Sequence, residues 1–509
     1  MSEDPEKITT AKSHDEMDEE ISEDPPAQEV EAKNFDQMME NLEIAGDDDV
    51  DMEEQYIDVD MDGTMGKNAK IRDGGDKEQK QMESIDITND SIHAFLGHDD
   101  EPVYSVAFNP AFSSTTHLQV LSGGGDDCAY LWEVAIPVKK EEDEDQEEAE
   151  EEEPIEMKSE ATDAISQENN TKGDDDVATN PNATTTITTG KENEENGHLK
   201  EYTHKFANHK DTIVAVQYSK SHNHEYFAVA SMDNSISIYH KNELYERLEG
   251  PGAEVEWIDW HPKGLLLLCG ARDNTVWLWQ IHTQPKKQQK SKILQVFGGH
   301  LAPVICGAFT KSGKNCYTGS EDGSLFFWDC NTGKAIHHFS AKSKLFHQSV
   351  VTTCDDQYNH PIIATGGDDH KIILLNYKSG SIIKCIFEHK DAVECVAFGS
   401  DNTLSSRYLL SASLDGLLNI YDVEKNGMIR SQCPHDNGVI VARWFNTQPL
   451  IATGDMSGII SIWDARIGTS ARRFRGHLET VQSLDISLDD KWLVSGSDDG
   501  SALVFPMHL

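Results

Sequence analysis

The chain has 509 residues and a formal charge of −48, unevenly spread: residues 1–90 carry 30 acidic and 8 basic side chains, residues 135–200 carry 21 and 6, and the rest shares only −11. A chain this acidic repels nucleic acid and anionic lipid and attracts basic proteins at a salt-dependent rate. The nine cysteines are odd in number and form no CxxC pair, which excludes a disulfide scaffold and points to a reduced compartment and small buried hydrophobes.

The N-terminal MSEDPEKITT has no apolar stretch of the kind a signal peptide needs, and no run approaches 18 apolar residues, so the protein is expected in the cytoplasm, the nucleus or both. Residues 1–90 show no sustained hydrophobic period and read as a disordered acidic tail. Within them NFDQMMENLEIAG places Phe35, Met38, Met39 and Leu42 at roughly helical spacing, which reads as a transient helix rather than a docking motif.

From residue 91 onward one unit recurs. Its clearest copy opens at Gly298–His300, runs through an apolar strand with Val304 and Phe309, and closes with CYTGSEDGSLFFWD at Asp329. The closing positions Trp132, Tyr239, Trp279, Trp328, Leu375, Tyr421, Trp463 and Phe505 lie 107, 40, 49, 47, 46, 42 and 42 residues apart. The first interval contains an acidic insertion, residues 136–199, and matches the others once it is removed. An Asp stands six residues before the closing position in every unit but the seventh, which has Ser457 there and Asp455 just upstream. A His opens six units, at His98, His209, His300, His389, His435 and His477; the third unit opens with GPGAEVEW, and the fifth has only a poor match around His347.

Alternating strands of five to seven residues separated by Asp-Gly turns, at this period, predict an all-β WD40 β-propeller of eight four-stranded blades over residues 91–509. An isolated blade exposes apolar surface on both faces, and stacking buries both. The last unit lacks an outer strand, and SIHAFLG (91–97) stands at that position before the first His. Closure is therefore expected by pairing 91–97 with 501–505. The acidic insertion falls in the loop between third and fourth strands of the first blade.

His300, Ser320, Asp322 and Trp328 could be mistaken for parts of a Ser-His-Asp triad. Because these types recur in phase, they are read as a structural hydrogen-bond network. No P-loop, HExxH, EF-hand loop or convincing metal-ligand spacing is present, and neither a reaction nor a cofactor is implied.

In a propeller the loops from outer to innermost strand, and from second to third strand, share one end. This sequence puts carboxylates there, among them Glu254, Glu256, Glu321, Asp368, Glu394, Asp455 and Asp498, with Tyr104, Trp257 and Met456 as apolar contacts. Such a ring would focus negative potential and draw in a Lys- or Arg-rich peptide. The acidic insertion and the basic loop 282–292 follow third strands and leave at the opposite end.

The stretches AEVEWIDWHPKGLLLLCGARDNTVWLW (253–279), QCPHDNGVIVARW (432–444) and IATGDMSGIISIWDARIG (451–468) resemble the family of angio-associated migratory cell protein and its fungal counterpart, the dedicated chaperone of large-subunit ribosomal protein L-ten. That resemblance implies an eight-bladed propeller that captures the basic N-terminal segment of this ribosomal protein and keeps it soluble until it joins the 60S subunit. A monomer without nucleic-acid or membrane contact is expected. A general interaction scaffold, in signalling or histone binding, is the other function class left open.

Overall fold

The computed structural model describes residues 89–112, 117–136, 191–193, 199–282, 291–400 and 405–507. The tail expected to be disordered, up to residue 88, lies outside the described residues, as do 137–190 and 194–198 of the insertion. The described parts of residues 82–509 belong to one compact unit. It contains eight four-stranded antiparallel sheets, whose innermost strands are Val103–Phe108, Ile213–Tyr218, Val255–Trp260, Val304–Phe309, Val351–Asp356, Val393–Phe398, Val439–Trp444 and Val481–Ile486. Each of these strands touches the next, and the last touches the first, so the sheets form a closed eight-bladed ring. An outer strand His204–Phe206 completes the first blade beyond the insertion, within which Lys191–Asn193 pairs with Leu199–Glu201.

Every innermost strand begins with a fully buried Val or Ile. A β-branched side chain fits there because it packs between two pleated sheets. Two residues later the pairing register slips in all eight strands. The skipped residue is a β-bulge, which lifts its side chain out of the ladder and tightens the twist.

The ring closes as the sequence predicts. Phe95, Ala94 and His93 pair with Ala502, Leu503 and Val504, so the first strand, His93–Phe95, becomes the outer strand of the eighth blade. Phe95 is buried and stacks on Trp132 of the first blade at 5.1 Å and 7°. Just before this strand, the Asp90 amide donates to Arg475 O and its carboxylate accepts from the Arg475 amide.

The repeated network exists, with two corrections. In the fourth blade the hydroxyl at its centre belongs to Thr318, not Ser320. Trp328 Nε1 donates to Thr318 Oγ1 at 2.9 Å, and His300 Nε2 lies 2.8 Å from the same oxygen. His300 Nδ1 lies 2.9 Å from Ser324 Oγ, so each ring nitrogen meets a hydroxyl, and Thr318 Oγ1 serves the indole and the imidazole together. Ser320 Oγ instead donates to Ala302 O, and Asp322 receives the Leu301 amide at 2.6 Å. A strand residue two places from the turn points to the same face as the turn residue, so sequence order alone could not choose between the two hydroxyls. Thr318→Val is expected to cost about 2–4 kcal/mol, because it strands two buried ring nitrogens, whereas Ser320→Ala costs about 1 kcal/mol. Urea denaturation of both variants reads the difference.

The second correction concerns the fifth blade. His347 sits 2.7 Å from Asp369 and 2.8 Å from Thr365, so the His, Asp and hydroxyl of the network are all in place without the indole. The match was hidden by a stretched loop after Lys334–Phe339, which the Gln348 side-chain amide ties to Ala341, Ser343 and Phe346 carbonyls, and by Leu375 at the usual tryptophan position. All nine cysteines are free thiols, four of them buried.

Candidate partner-binding face

One end of the ring is assembled by a hydrogen bond present in all eight blades. The amide of the residue following the second strand donates to the carbonyl just before the innermost strand, as from Arg272 to Glu254, Glu321 to Pro303, Asp368 to Val350 and Asp498 to Thr480. The turn between second and third strands and the loop entering the innermost strand are thereby held together at one mouth. Around it stand two concentric sets of side chains. The inner set is the eight bulge residues: Tyr104, Val214, Glu256, Ile305, Thr352, Glu394, Ile440 and Gln482. The outer set leads the second turns: Gly125, Met232, Arg272, Glu321, Asp368, Leu414, Met456 and Asp498. A cavity of about 870 Å³ reaches Glu394, Ile440 and Gln482 of the inner set, and most of its lining, including Lys220, Lys311 and Tyr358, lies towards the other ends of the innermost strands.

Burial and charge separate the carboxylates here. Glu394 is half-buried and has no hydrogen-bond or ion-pair partner among the described residues. Burial raises its pKa, and Asp368 and Asp391 raise it further, so three negative groups converge between the fifth and sixth blades. The Asp368 carboxylate accepts from Ser349 Oγ at 2.9 Å and pairs with no cation among the described residues. Between the third and fourth blades the arrangement differs. Glu256 is raised by burial and by Glu321 and Glu254, but Arg272 opposes the rise from 3.2 Å on Glu256 and 3.7 Å on Glu321. Asp498 accepts from Gln482 Nε2 with both oxygens at 2.9 and 3.0 Å. Tyr104 and Met456 are exposed on the mouth.

Two residues expected on this face are packed into the fold. Asp455 is 2% exposed, and its Oδ1 accepts from the amides of Ser457 and Ile459 and from the Ser457 hydroxyl. It shapes the turn that Asp at the position of Ser457 would otherwise shape. Trp257 lies sideways between blades, its Nε1 donating to Val304 O at 2.9 Å. It fits only because Gly270 and Gly307 leave room: a Cβ at either would approach the indole to 2.3 or 2.6 Å. Glu254 sits at the outer edge, where its carbonyl receives the Arg272 amide.

The structure adds two apolar contacts that sequence reasoning missed. Leu301 and Leu478 are 86% and 63% exposed, each directly after a network His whose burial turns the next side chain outward. Their amides donate to Asp322 and Asp499. The in-phase "His-Leu" at 300–301 and 477–478 was a readable signal once the His was assigned to the interior.

One mouth of the propeller thus gathers the carboxylates of Glu394, Asp368 and Asp391, and its loops also carry exposed Leu301, Leu478, Met456 and Tyr104. The chain carries WD40 repeats: the family model of the WD domain, G-beta repeat, matches residues 89–133, 200–240, 242–280, 291–329, 380–422 and 468–505. It is homologous to human angio-associated migratory cell protein, 27% identical over 311 residues, or 59% of this chain and 68% of that protein. A WD repeat-containing protein of Schizosaccharomyces pombe is 29% identical over 224 residues, 42% of this chain and 54% of that one. Among solved structures, Sqt1 of Chaetomium thermophilum matches with a TM-score of 0.62 at 17% identity, over 82% of this chain and 99% of its own. The same protein, solved bound to the N-terminus of the ribosomal protein L10, matches with a TM-score of 0.61 at 18% identity, over 82% and 100%. At such identity the likeness establishes the shared propeller fold.

Proposed function

We propose that this protein is a dedicated, non-enzymatic chaperone of a basic large-subunit ribosomal protein, capturing its N-terminal segment on the acidic mouth of the propeller for 60S assembly. The observation that carries the reading is the Glu394, Asp368 and Asp391 group. Three carboxylates held together with no paired cation among the described residues are costly in the free protein, and that cost is relieved when a Lys or Arg enters. The exposed Leu301, Leu478, Met456 and Tyr104 supply apolar surface beside the charges, as a partner-binding centre requires. Support also comes from the fold shared with Sqt1, which was solved with the L10 N-terminus.

A basic ribosomal extension is built to lie against RNA, and masking it with carboxylates suppresses aggregation and misplaced RNA contacts. Because the contacts are largely electrostatic, competing RNA phosphates can release the segment. The work belongs in the cytoplasm, where the ribosomal protein is made. Titration calorimetry of the full chain at physiological salt tests the reading, using the L10 N-terminal peptide and a scrambled peptide of equal charge. The native peptide is expected to bind at least about tenfold tighter, a difference of about 1.4 kcal/mol. Equal, weak binding of both peptides would leave only a general scaffold for basic segments.

A further inference from the structure

The two carboxylate groups on the mouth are not in the same state. The one between the fifth and sixth blades is open, whereas the one between the third and fourth blades is occupied by a side chain of the protein itself. Arg272 is the single basic residue among the eight that lead the second turns. Its guanidinium reaches Glu256 of its own blade and Glu321 of the next, at 3.2 and 3.7 Å, while staying 45% exposed.

This bridge is poorly made compared with the structural arginines of the fold. Arg247 holds Asp233 at 2.9 Å and also donates to Asn208 O at 2.7 Å, and Arg430 donates to the carbonyls of Ala465 and Arg466. The Arg272 guanidinium makes no hydrogen bond among the described residues. Glu256 Oε1, although buried, is likewise left without a hydrogen-bond donor, because its neighbour sits at ion-pair distance but off axis. The charge of the cleft is only partly offset, one guanidinium against two carboxylates, and its hydrogen-bonding capacity is unfilled. A buried acceptor in that condition is completed by a well-aligned donor from outside.

We propose that Arg272 is an internal counter-cation that fills the Glu256–Glu321 cleft in the free protein and is displaced by a cationic side chain of the incoming segment, so that it sets how much positive charge a partner must carry. This rests on the capture of a basic segment at the mouth. The geometry makes Arg272 a specificity-determining residue: weakly basic segments engage only the open cleft at Glu394, and strongly basic ones engage both.

The test uses the full chain with Arg272→Gln, Arg272→Lys and no substitution, titrated with hexa-arginine and with the L10 N-terminal peptide across a salt series. Arg272→Gln is expected to bind hexa-arginine about threefold to tenfold tighter and with a steeper salt dependence, the effect of unmasking one carboxylate pair. Arg272→Lys should stay close to the unsubstituted protein. A structural role alone would lower the melting temperature and weaken binding together, and unchanged or weaker hexa-arginine binding by Arg272→Gln overturns the inference. If hexa-arginine behaves as expected while the L10 peptide fails to bind, the counter-cation stands and the ribosomal-protein reading falls.

Discussion

Charge reversal at Glu394 is expected to weaken binding of the basic segment by a factor of about 100 or more while leaving the propeller folded. The carboxylate sits on a bulge, outside the strand ladder, and has no partner among the described residues, so no internal bond is broken by its loss. Lys at this position would place a cation beside Asp368 and Asp391 and offset part of their charge from within. Truncating one partner of a desolvated charge pair costs about 2–5 kcal/mol, which converts to a factor of about 30 to several thousand in affinity. The isosteric Glu394→Gln should fall short of this, because it keeps an acceptor and removes only the charge. Calorimetry beside a thermal melt checks the pair. Full-strength binding by a folded Glu394→Lys protein would move the site off the fifth and sixth blades.

The second large effect is on stability. A chain starting at residue 89 should unfold cooperatively, and one starting at residue 98 should lose several kcal/mol and unfold at much lower denaturant. The difference is one short strand, but that strand supplies the outer edge of the eighth blade and plants Phe95 against Trp132 and Tyr130 of the first. Phe95→Ala by itself should cost about 3–5 kcal/mol, as expected for emptying a buried aromatic site. In an open stack each end can fray separately, whereas in a closed ring the junction restrains both neighbours. Denaturation midpoints of the two truncations measure this directly, and coincident midpoints would mean the ring does not depend on the closing strand.

How much of this was legible without coordinates follows from the kind of information each feature carries. Periodicity is local and additive over eight copies, so the recurrence of Asp six residues before an apolar closing position sufficed for blade number, strand phase and closure of 91–97 on 501–505, within which residues 93–95 pair with 502–504. The same phase set Glu256 and Glu394 on equivalent bulge positions of the third and sixth innermost strands.

Contacts between blades were not legible, because they join residues 40–50 positions apart whose orientation depends on twist. Trp257 reads like an exposed aromatic at the mouth, yet two glycines on separate strands make the slot that receives it. Asp455 reads like one more rim carboxylate, yet a one-position displacement of the turn residue buries it under Ser457 and Ile459. Thr318 and Ser320 lie on the same side of their strand, and only the height of the Trp328 indole decides which hydroxyl it meets. Arg272 was legible as a base in an acidic ring. That its guanidinium spans two blades, neutralising Glu256 without satisfying its buried oxygen, was decided by the tertiary structure, because bulge geometry sets both distance and angle. The sequence by itself thus determined the repeat, the ring and the sign of its mouth; packing across blades decided which side chains remain available there.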